Sequence, residues 1–346
     1  MVNLIYNKMW MMFNRRLRPS KPPWGKLIYQ KYLYIYMTAI GEGSYGCIYK
    51  PPLPCKSKYV NLGQTDQKVM KVMNPCESND NDISLVLRMI DPLEKYFLLV
   101  GDRSCVVDLD HVHDKCDNYE TSSIKERKQF RGYLITQGEM TLGNYLHTHS
   151  VSIETLWDII IHLLDGLYIM SQSGIVHLNI KFENILMLKG LPRLIDFGIS
   201  RFVDLFSPDD LGYVDKYPNF VDATKTNWST IEDLDSDGLE PSPENFLFMR
   251  FIDPNIDKDL ALSNARNQYW NEIVLPNVFK IDIFSLARGF LDYFDESNIS
   301  DKHKSDPRFE SLYELLSLCV IPDYRKQYSL FDAIKYVKRV QKLGQI

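Results

Sequence analysis

The stretch HLNIKFENIL, residues 177–186, contains a histidine, two asparagines and a lysine in the order H-x-N-x-K-x-x-N. These residues are His177, Asn179, Lys181 and Asn184. The side-chain carbonyl oxygen of Asn184 is a hard ligand of the kind that Mg²⁺ prefers. Asn179 can accept a hydrogen bond and orient a hydroxyl group, but it cannot take up a proton at neutral pH. The stretch therefore indicates a polar site without a carboxylate base at position 179.

A second motif, LIDFGIS at residues 194–200, carries Asp196 directly before Phe197 and Gly198. Asp196 lies 12 positions after Asn184, which is enough for a short hairpin that returns the chain to one cleft. Asp196 and Asn184 would then supply two oxygen ligands for Mg²⁺. The two motifs together predict a metal-binding cleft.

The glycine-rich stretch GEGSYGCIY, residues 41–49, matches the pattern G-x-G-x-x-G at Gly41, Gly43 and Gly46. β-Branched and aromatic residues flank it over residues 31–50, and two prolines follow, which prevents an early helix. A dinucleotide-binding loop leads from a strand into a helix, so the predicted strand–loop–strand differs from it. The glycines let backbone amides close over phosphate groups. A plain hairpin turn is the alternative.

Lys71 lies in QKVMKVM, residues 67–73, a predicted strand in which apolar residues flank the lysine. Such a lysine points inward or lies at a sheet edge. Thirty positions separate it from Gly41, so the intervening segment contains an insertion. A predicted helix, ISLVLRMI, follows, and either Asp82 or Glu77 is the acid that could pair with Lys71. A solvated position at the helix start is equally consistent with both acids.

Further elements complete the pattern. RGYLITQGEM, residues 131–140, predicts a buried strand that runs into a glycine turn, and the polar residues 101–130 predict an irregular insertion. Apolar residues recur at helical spacing over 152–170, where Ser152 can cap the helix. The stretch 281–294 is apolar on most sides, so we expect a central helix there. Because strands precede helices, we predict an α+β chain with a β-rich lobe and a helical lobe.

The composition is that of an ordinary globular protein, with 346 residues of which 45% are hydrophobic and 25% charged. The net charge of −5 gives no indication of binding to nucleic acid or to an anionic membrane. No stretch approaches the roughly 18 uncharged residues of a membrane span. In residues 1–30, interpreted as an N-terminal extension with a linker at 18–23, apolar residues precede basic ones, which is the wrong order for a secretory signal.

The six cysteines are scattered without a C-x-x-C spacing. We expect no disulfide framework in a chain of this length, and a reducing compartment, the cytoplasm, as its location. His111, His113 and Cys116 invite a zinc interpretation, but they lack a second ligand pair. Solvated loop residues are the simpler interpretation.

With these motifs in this order, the chain resembles a eukaryotic-type serine/threonine protein kinase from about residue 31 to about residue 340. The stretches GSYGCIYKPPLPC and RMIDPLEKYF are most similar to kinases of large DNA viruses, which implies the host cytoplasm or the virion as location. The resemblance implies a bilobal kinase-like fold, with an N-lobe at 31–140 and a C-lobe at 141–346. It implies ATP and Mg²⁺ as ligands, a protein substrate or docking partner, no nucleic acid, no membrane, and a monomer.

The resemblance also implies roles for single residues. Lys181 matches the serine/threonine pattern of the catalytic loop, and Asp282 matches the aspartate that braces this loop. Arg325 matches the late arginine that pairs with a glutamate closing the activation segment, for which Glu244 is the candidate. The residues implied for the nucleotide are Gly41, Gly43, Gly46, Ile48, Lys71, Gln137 and Glu139, with Thr136 as the gatekeeper beside the adenine, and those for the metal are Asn184 and Asp196.

Three departures from the family pattern concern function. Kinases carry a catalytic aspartate at the position of Asn179 and usually an arginine at that of Leu178. Without the carboxylate we expect impaired phosphate transfer, and Leu178 cannot receive an activation-loop phosphate. A clean A-P-E motif is also missing. The sequence thus predicts a weak serine/threonine kinase or, alternatively, a pseudokinase that binds nucleotide as a scaffold or regulator; small-molecule kinases usually lack D-F-G.

The acidic stretch DLDSDGLEPSPE, residues 233–244, fits the formula of a calcium-binding loop. Its side-chain ligands would be Asp233, Asp235, Asp237 and Glu244. Prolines stiffen its second half, and no amphipathic helix leads into it. An acidic, solvated insertion explains the stretch equally well, so calcium stays an alternative.

Overall fold

The structure is a computed structural model. It describes residues 38–43, 46–57, 67–74, 78–107, 109, 130–205, 275–297, 299, 303, 305–321 and 325–344. The predictions for the extension 1–30, for Glu77, for the zinc residues and for the calcium-loop stretch lie outside these residues. Glu244, the candidate partner of Arg325, also lies outside them.

A five-stranded antiparallel sheet forms the N-terminal region, with the strand order β1-β2-β3-β5-β4. Its strands are β1 (Thr38–Gly43), β2 (Gly46–Lys50), β3 (Lys68–Met73), β4 (Ser104–Val106) and β5 (Arg131–Thr136). The predicted strands on both sides of the glycine-rich loop, around Lys71 and in 131–140 are therefore present. β4 lies in the stretch expected to be an irregular insertion, where its buried Cys105 pairs with Gly132.

Helix α1 (Asp80–Ile90) follows β3, where the sequence predicts a helix. Its buried residues are Asp80, Ile83, Ser84 and Leu87, which recur at three- and four-residue spacing. Just before the helix, the Asn79 N–H donates to Gly198 O at 3.0 Å, and Asn79 Nδ2 donates to Ser200 O at 2.8 Å. The start of α1 therefore contacts the segment that follows Asp196.

The residues after β2 cross the sheet and reach β4, where Cys55 pairs with Val107 and forms a disulfide with Cys105. The expectation of a chain without a disulfide framework did not anticipate this bond. Cys47 of β2 is also disulfide-bonded, whereas Cys319 is a buried free thiol. Sequence spacing could not reveal the pairing, because the two cysteines are 50 residues apart and only this crossing brings them together.

The C-terminal region is mainly helical. Its helices are α2 (Leu142–Thr148), α3 (Ile153–Gln172), α4 (Phe279–Glu296), α5 (Pro307–Cys319) and α6 (Leu330–Lys342), and a single turn, Leu275–Asn277, precedes α4. Ser152 caps α3 as predicted, because its side chain accepts a hydrogen bond from the Thr155 N–H. α4 is buried along most of its length, in agreement with its predicted central position.

Short strands lie between these helices. β6 (Met140–Thr141), β8 (Ile185–Leu188) and β9 (Leu191–Leu194) form a three-stranded sheet, and β7 (Ile175–Val176) pairs with β10 (Arg201–Phe202). β8 and β9 are the hairpin predicted between Asn184 and Asp196. The loop after α1 joins this hairpin, because the Leu98 N–H donates to Leu194 O at 3.0 Å and the Leu194 N–H donates to Tyr96 O at 2.9 Å.

The chain is thus a mixed α/β protein with a β-sheet N-terminal region and a helical C-terminal region. One hydrophobic core joins Ile83 and Leu87 of α1 to the helices of the C-terminal region. Among the helices of the described residues, none combines the length and the hydrophobicity that a membrane span requires.

Candidate functional site

Lys71 lies in the middle of β3 and is 8% exposed. Its Nζ contacts the carboxylate of Asp80 on α1 and lies 2.8 Å from Asp196 Oδ1. Asp196 belongs to the segment that follows β9. Three separate elements therefore meet at one cation, and Lys71 contacts Asp196 directly.

The charges of this cluster control its protonation. Burial opposes the charge of Lys71, but the carboxylates of Asp196 and Asp80 outweigh it, so the pKa of Lys71 lies above its usual range. Burial raises the pKa of Asp80 in spite of its contact with Lys71. Burial also opposes ionisation of Asp196, but the attraction of Lys71 is stronger there and lowers the pKa of Asp196. The site thus holds a lysine ammonium beside an ionised aspartate.

The acid that contacts Lys71 is Asp80, not Asp82. Successive helix residues are rotated by about 100°, so Asp82 lies roughly 200° from Asp80 around α1. Asp82 is exposed, whereas Asp80 is buried and also accepts a hydrogen bond from the Phe197 N–H at 3.3 Å. The other acid proposed from the sequence, Glu77, lies outside the described residues.

Asp282 of α4 supports the loop that contains the motif H-x-N-x-K-x-x-N. Its buried carboxylate accepts hydrogen bonds from the backbone N–H groups of His177, at 2.7 Å, and Leu178, at 2.9 Å. Burial raises the pKa of Asp282 to about 7, although the two N–H groups act in the opposite direction. Asp282 therefore contacts the loop that it was expected to brace.

His177 is buried at the start of the same loop. Its Nδ1 accepts a hydrogen bond from the Asn179 N–H at 3.2 Å, and we assign the Nε2 proton to the contact with Ile195 O at 3.1 Å. Burial lowers the pKa of His177 to about 4. The imidazole lies 5.0 Å from the ring of Phe197. His177 is thus a neutral support of the loop rather than a carrier of protons.

Leu178 and Asp196 have left-handed backbone conformations, with φ angles of 64° and 63°. Residues other than glycine rarely adopt this conformation, which costs about 1–3 kcal/mol. The hydrogen bond to Asp282 holds Leu178, and the ion pair with Lys71 holds Asp196. Such residues concentrate at functional sites, so these two conformations support the location of the site.

The two asparagines of the motif lie side by side. Asn184 Nδ2 donates to the backbone oxygen of Asn179 at 3.1 Å, and the Ile195 N–H donates to Asn184 O at 3.0 Å. The side-chain oxygen of Asn179 is buried and has no hydrogen-bond partner among the residues that the structure describes. Lys181 is exposed, yet close enough to act on the charge of Asp196. The structure therefore brings the polar residues of both sequence motifs together.

Two side-chain oxygens of this group fit a hard cation. Asn184 Oδ1 and Asp196 Oδ2 make no hydrogen bond within the described residues, whereas Asn184 Nδ2 and Asp196 Oδ1 are both engaged. Mg²⁺ is usually bound by one or two protein ligands together with phosphate oxygens and water, so two oxygens suffice. In the described part of the chain, no group of three or more His, Cys, Asp or Glu residues is arranged to hold a metal ion.

The glycines of the glycine-rich loop have different roles. A Cβ atom added at Gly46 would lie 2.3 Å from Val72 O, so the close packing of β2 on β3 requires glycine there. A Cβ atom added at Gly41 would meet only Ile48, at 3.8 Å and 3.9 Å, which is ordinary contact. Gly43 pairs with Gly46 in the β1–β2 register. Because Ile48 is the cross-strand partner of Lys71, Gly41 leaves space beside the candidate site.

The end of β5 and the three residues after it present backbone groups that the described residues leave available to a ligand. The Gln137 N–H donates to Gln67 O at 3.0 Å, and the Glu139 N–H donates to Met187 O at 2.9 Å. The Gly138 N–H has no hydrogen-bond partner among the described residues. Because Gln67 and Gln137 form a hydrogen-bonded pair, the next pair, Lys68 and Thr136, is not hydrogen-bonded, and the Thr136 carbonyl points away from β3. The ligand contacts expected from Gln137 and Glu139 could therefore come from their carbonyl groups but not from their N–H groups.

The residue of this segment that shares the Lys71 face of the sheet is Ile135, not Thr136. The register pairs Val69 with Ile135 and Lys68 with Thr136, and side chains alternate between the two faces of a strand. Thr136 Oγ1 thus lies on the opposite face, where it accepts a hydrogen bond from Lys68 Nζ at 2.7 Å. Thr136 therefore does not lie on the face that its expected role beside an adenine would require, because the motif alone does not reveal the face on which a residue lies.

Sequence reasoning missed Asp80, Ile135 and the free Gly138 N–H. The helical period contained a signal for Asp80, which lies three residues before Ile83 and seven before Leu87, on the same buried side of α1. Ile135 could be placed on the face of Lys71 only if the register between β3 and β5 were known, and the sequence does not contain that register. The free N–H of Gly138 has no sequence signal.

The chain matches no protein-family model and no curated protein. The interpretation of the site therefore depends on its geometry and on the motifs in the sequence.

Proposed function

We propose that this chain is a homologue of the eukaryotic-type serine/threonine protein kinases that binds ATP with Mg²⁺ and transfers the γ-phosphate slowly to protein hydroxyl groups. In this proposal the sheet region and the helical region are the two lobes of a kinase-like fold. The observation that carries it is the contact of Lys71 Nζ with both Asp80 and Asp196. Phosphoryl transfer depends mostly on positioning and on neutralisation of charge, and a fixed ammonium group beside metal-binding oxygens supports both.

The phosphates, the adenine and the metal ion of an ATP–Mg²⁺ complex each have a proposed counterpart among the described residues. Lys71 would hold phosphate oxygens, and Gly41 leaves room for the phosphates to approach β1. The Thr136 carbonyl and the Gly138 N–H would pair with the edge of the adenine. The oxygens of Asn184 and Asp196 would hold Mg²⁺, which neutralises phosphate charge when bound. The substrate hydroxyl would be bound by a further group, Asn179.

Asn179 limits the rate in this proposal. Its side-chain oxygen, which no described residue bonds, would accept a hydrogen bond from the substrate hydroxyl and orient it. An amide cannot remove the proton. General-base catalysis typically contributes a factor of about 10²–10⁴, which corresponds to roughly 3–5 kcal/mol. We therefore expect strong impairment of transfer without loss of nucleotide binding.

A second candidate function is that of a pseudokinase, which binds nucleotide and acts by docking a partner protein. Asn179 favours it, and so does Leu178. Leu178 is 2% exposed and apolar, so it cannot receive the phosphate of an activation loop as an arginine would. The two candidates share the nucleotide site and differ in phosphate transfer.

Nucleotide binding is tested by the melting temperature of the purified chain with and without ATP and Mg²⁺. At 100 times the Kd, binding stabilises a protein by about 2.7 kcal/mol, so we expect a rise of roughly 4 °C for a chain of 346 residues. Lys71→Met should abolish the rise. Lys68→Met, on the opposite face of β3, is the matched control and should retain it. Absence of any rise in the wild type contradicts both nucleotide proposals.

Phosphate transfer is tested with radiolabelled ATP and generic acceptor proteins. We expect Asn179→Asp to raise the rate of transfer at least about tenfold, because it restores the carboxylate base. Asn179→Ala should be no faster than the wild type. Full activity of the wild type would mean that another group serves as the base, and inactivity of both wild type and Asn179→Asp would favour the scaffold.

A further inference from the structure

Residues 51–57, here named the strap, lie over the outer face of the N-terminal sheet. The strap leaves β2 and reaches the far edge of the sheet, where Cys55 pairs with Val107 and the Lys56 N–H donates to Val106 O at 2.8 Å. Since the strand order is β1-β2-β3-β5-β4, the strap passes over β3 and β5 on its way.

The strap covers a hydrophobic cluster on this outer face. Leu53 of the strap is buried in the cluster, which also includes Cys47, Tyr49, Met70, Val72 and Leu134. Two cross-links occur there, because Cys55 is bonded to Cys105 and Cys47 is also disulfide-bonded. The outer face is therefore both packed and covalently fixed.

The opposite face of the same strands carries the candidate site. Side chains alternate along a strand, so Lys71 lies on the other face from its neighbours Met70 and Val72, which belong to the cluster. Ile48 alternates in the same way with its neighbours on β2. Packing under the strap therefore fixes the positions of Ile48 and Lys71.

The disulfide is a strong attachment for a segment that can form few hydrogen bonds. Three of the seven strap residues are prolines, Pro51, Pro52 and Pro54, which have no N–H to donate. The bond joins residues 50 positions apart, and such a cross-link also restricts the unfolded chain. Cys55 is half-buried whereas Cys105 is buried, so Cys55 is the more accessible of the two cysteines.

We propose that the Cys55–Cys105 disulfide is a redox lock. The bond lies on the outer face of the sheet and controls the positions of the side chains on the opposite, nucleotide-facing side. When the bond is closed, the strap holds β2 and β3 in the observed arrangement. When the bond is open, the strap detaches and Ile48 and Lys71 lose their fixed positions. The effect on nucleotide binding rests on the proposed function, whereas the effect on the sheet does not.

Opening is a thiol–disulfide exchange with a small dithiol. A thiolate of the dithiol attacks Cys55 Sγ, the bond between Cys55 and Cys105 breaks, and the Cys105 thiolate takes up a proton. The second thiol of the reductant then releases Cys55, so the protein gains two electrons and two protons while the dithiol becomes a cyclic disulfide. Closing uses a disulfide oxidant such as oxidised glutathione, which receives the two electrons.

The wild-type chain is equilibrated with oxidised glutathione or with dithiothreitol, alkylated and analysed by mass spectrometry of its peptides. The melting temperature and the amide hydrogen exchange of β2 and β3 are recorded in both states without nucleotide. We expect a cross-linked Cys55–Cys105 peptide in the oxidised state. After reduction we expect a melting temperature lower by roughly 5–15 °C and exchange about tenfold faster in both strands.

Variants separate this bond from the one at Cys47. Cys55→Ser combined with Cys105→Ser should show the fast exchange without any reductant. Cys319→Ala removes a buried free thiol in α5 and should retain the wild-type response to dithiothreitol. Alkylated Cys55 and Cys105 in the oxidised protein, or equal exchange in the two redox states, overturns the proposal.

ATP affinity is then measured in the same two states. A loss of roughly threefold or more on reduction supports the lock, since a smaller fraction of the chain is competent to bind. Equal affinity in both states contradicts it. If ATP binds in neither state, the proposed function fails, and the hydrogen exchange still decides whether the lock exists.

Discussion

Lys71 of β3 contacts Asp80, the first residue of α1, and not the exposed Asp82. Asp80 also accepts the backbone N–H of Phe197, which lies directly after Asp196. One carboxylate therefore connects a strand, a helix and the segment after β9. Its loss should affect both the stability of the fold and the site.

Asp80→Asn is expected to lower the free energy of unfolding by about 1–3 kcal/mol. The change removes one partner of a buried ion pair, while Lys71 keeps Asp196 as the other. Denaturant unfolding measures the loss. Asp82→Asn is the same chemical change at an exposed position and should stay within about 0.5 kcal/mol of the wild type. Equal losses in the two variants would contradict the importance of the Asp80 contact.

Gly46→Ala and Gly41→Ala should separate packing from ligand binding. Gly46→Ala places a Cβ atom against Val72 O, so we expect a loss of about 1–3 kcal/mol in stability. Gly41→Ala has room within the protein, so its melting temperature should match that of the wild type. Its rise with ATP and Mg²⁺ should be smaller, because the methyl group occupies space beside the phosphates. A normal rise for Gly41→Ala would place the phosphates elsewhere.

His177 and Asp282 should give opposite contributions to the pH dependence of stability. The pKa of His177 falls from 6.5 to about 4 on folding, so its contribution is present above about pH 6.5 and is lost as pH falls to 4. The pKa of Asp282 rises from 3.8 to about 7, so its contribution is present below about pH 4 and is lost as pH rises through 7. The full shifts correspond to about 3 and 4 kcal/mol.

Between pH 7 and pH 4 the contributions of His177 and Asp282 to stability change in opposite directions, so they partly cancel in the wild type. Variants that remove one of the two groups reveal each contribution separately. On acidification, His177→Gln should gain stability relative to the wild type, and Asp282→Asn should lose it. Unfolding in denaturant at several pH values measures both differences. His147→Gln, which changes an exposed histidine on α2, is the control and should follow the wild-type curve. Parallel curves for all four proteins would contradict the assignment.

Ile135→Ala should admit ATP analogues that carry a bulky group on the adenine amine. Ile135 shares the face of Lys71, so shortening it makes space where the adenine is proposed to lie. We expect a preference for the analogue over ATP that is about tenfold greater than in the wild type, measured by thermal shift. Thr136→Ala shortens a side chain on the other face and should leave the preference unchanged. The reverse result would restore Thr136 as gatekeeper.

Local patterns predicted much of the secondary structure around the site. Alternating and β-branched residues gave β1, β2, β3 and β5, and the spacing of apolar residues gave α3 and α4. The 12 positions from Asn184 to Asp196 predicted the β8–β9 hairpin. These predictions succeeded because the spacing of apolar residues that distinguishes strands from helices depends only on residues close together in the sequence.

Features that depend on contacts between distant segments were not predicted. Asp80 can be buried because Lys71 and the Phe197 N–H offset the cost of removing its charge from water. No local sequence pattern predicts these partners. The face of Thr136 depends on the register between β3 and β5. The Cys55–Cys105 bond depends on the crossing of the strap over two strands. Each requires three-dimensional information that sequence spacing does not contain.

Two backbone hydrogen bonds tie Tyr96 and Leu98 to Leu194, at 2.9 Å and 3.0 Å. Next to this junction, Lys95 O is also held by His162 Nε2 at 2.8 Å. The 2.8 Å ion pair between Lys71 Nζ and Asp196 Oδ1 is a separate contact, which joins the sheet to the segment after β9. If Lys71 and Asp196 separate to admit a ligand, the hydrogen bonds at Leu194 can stay intact, so we expect the atoms around Leu194 to move less than the Lys71 side chain does.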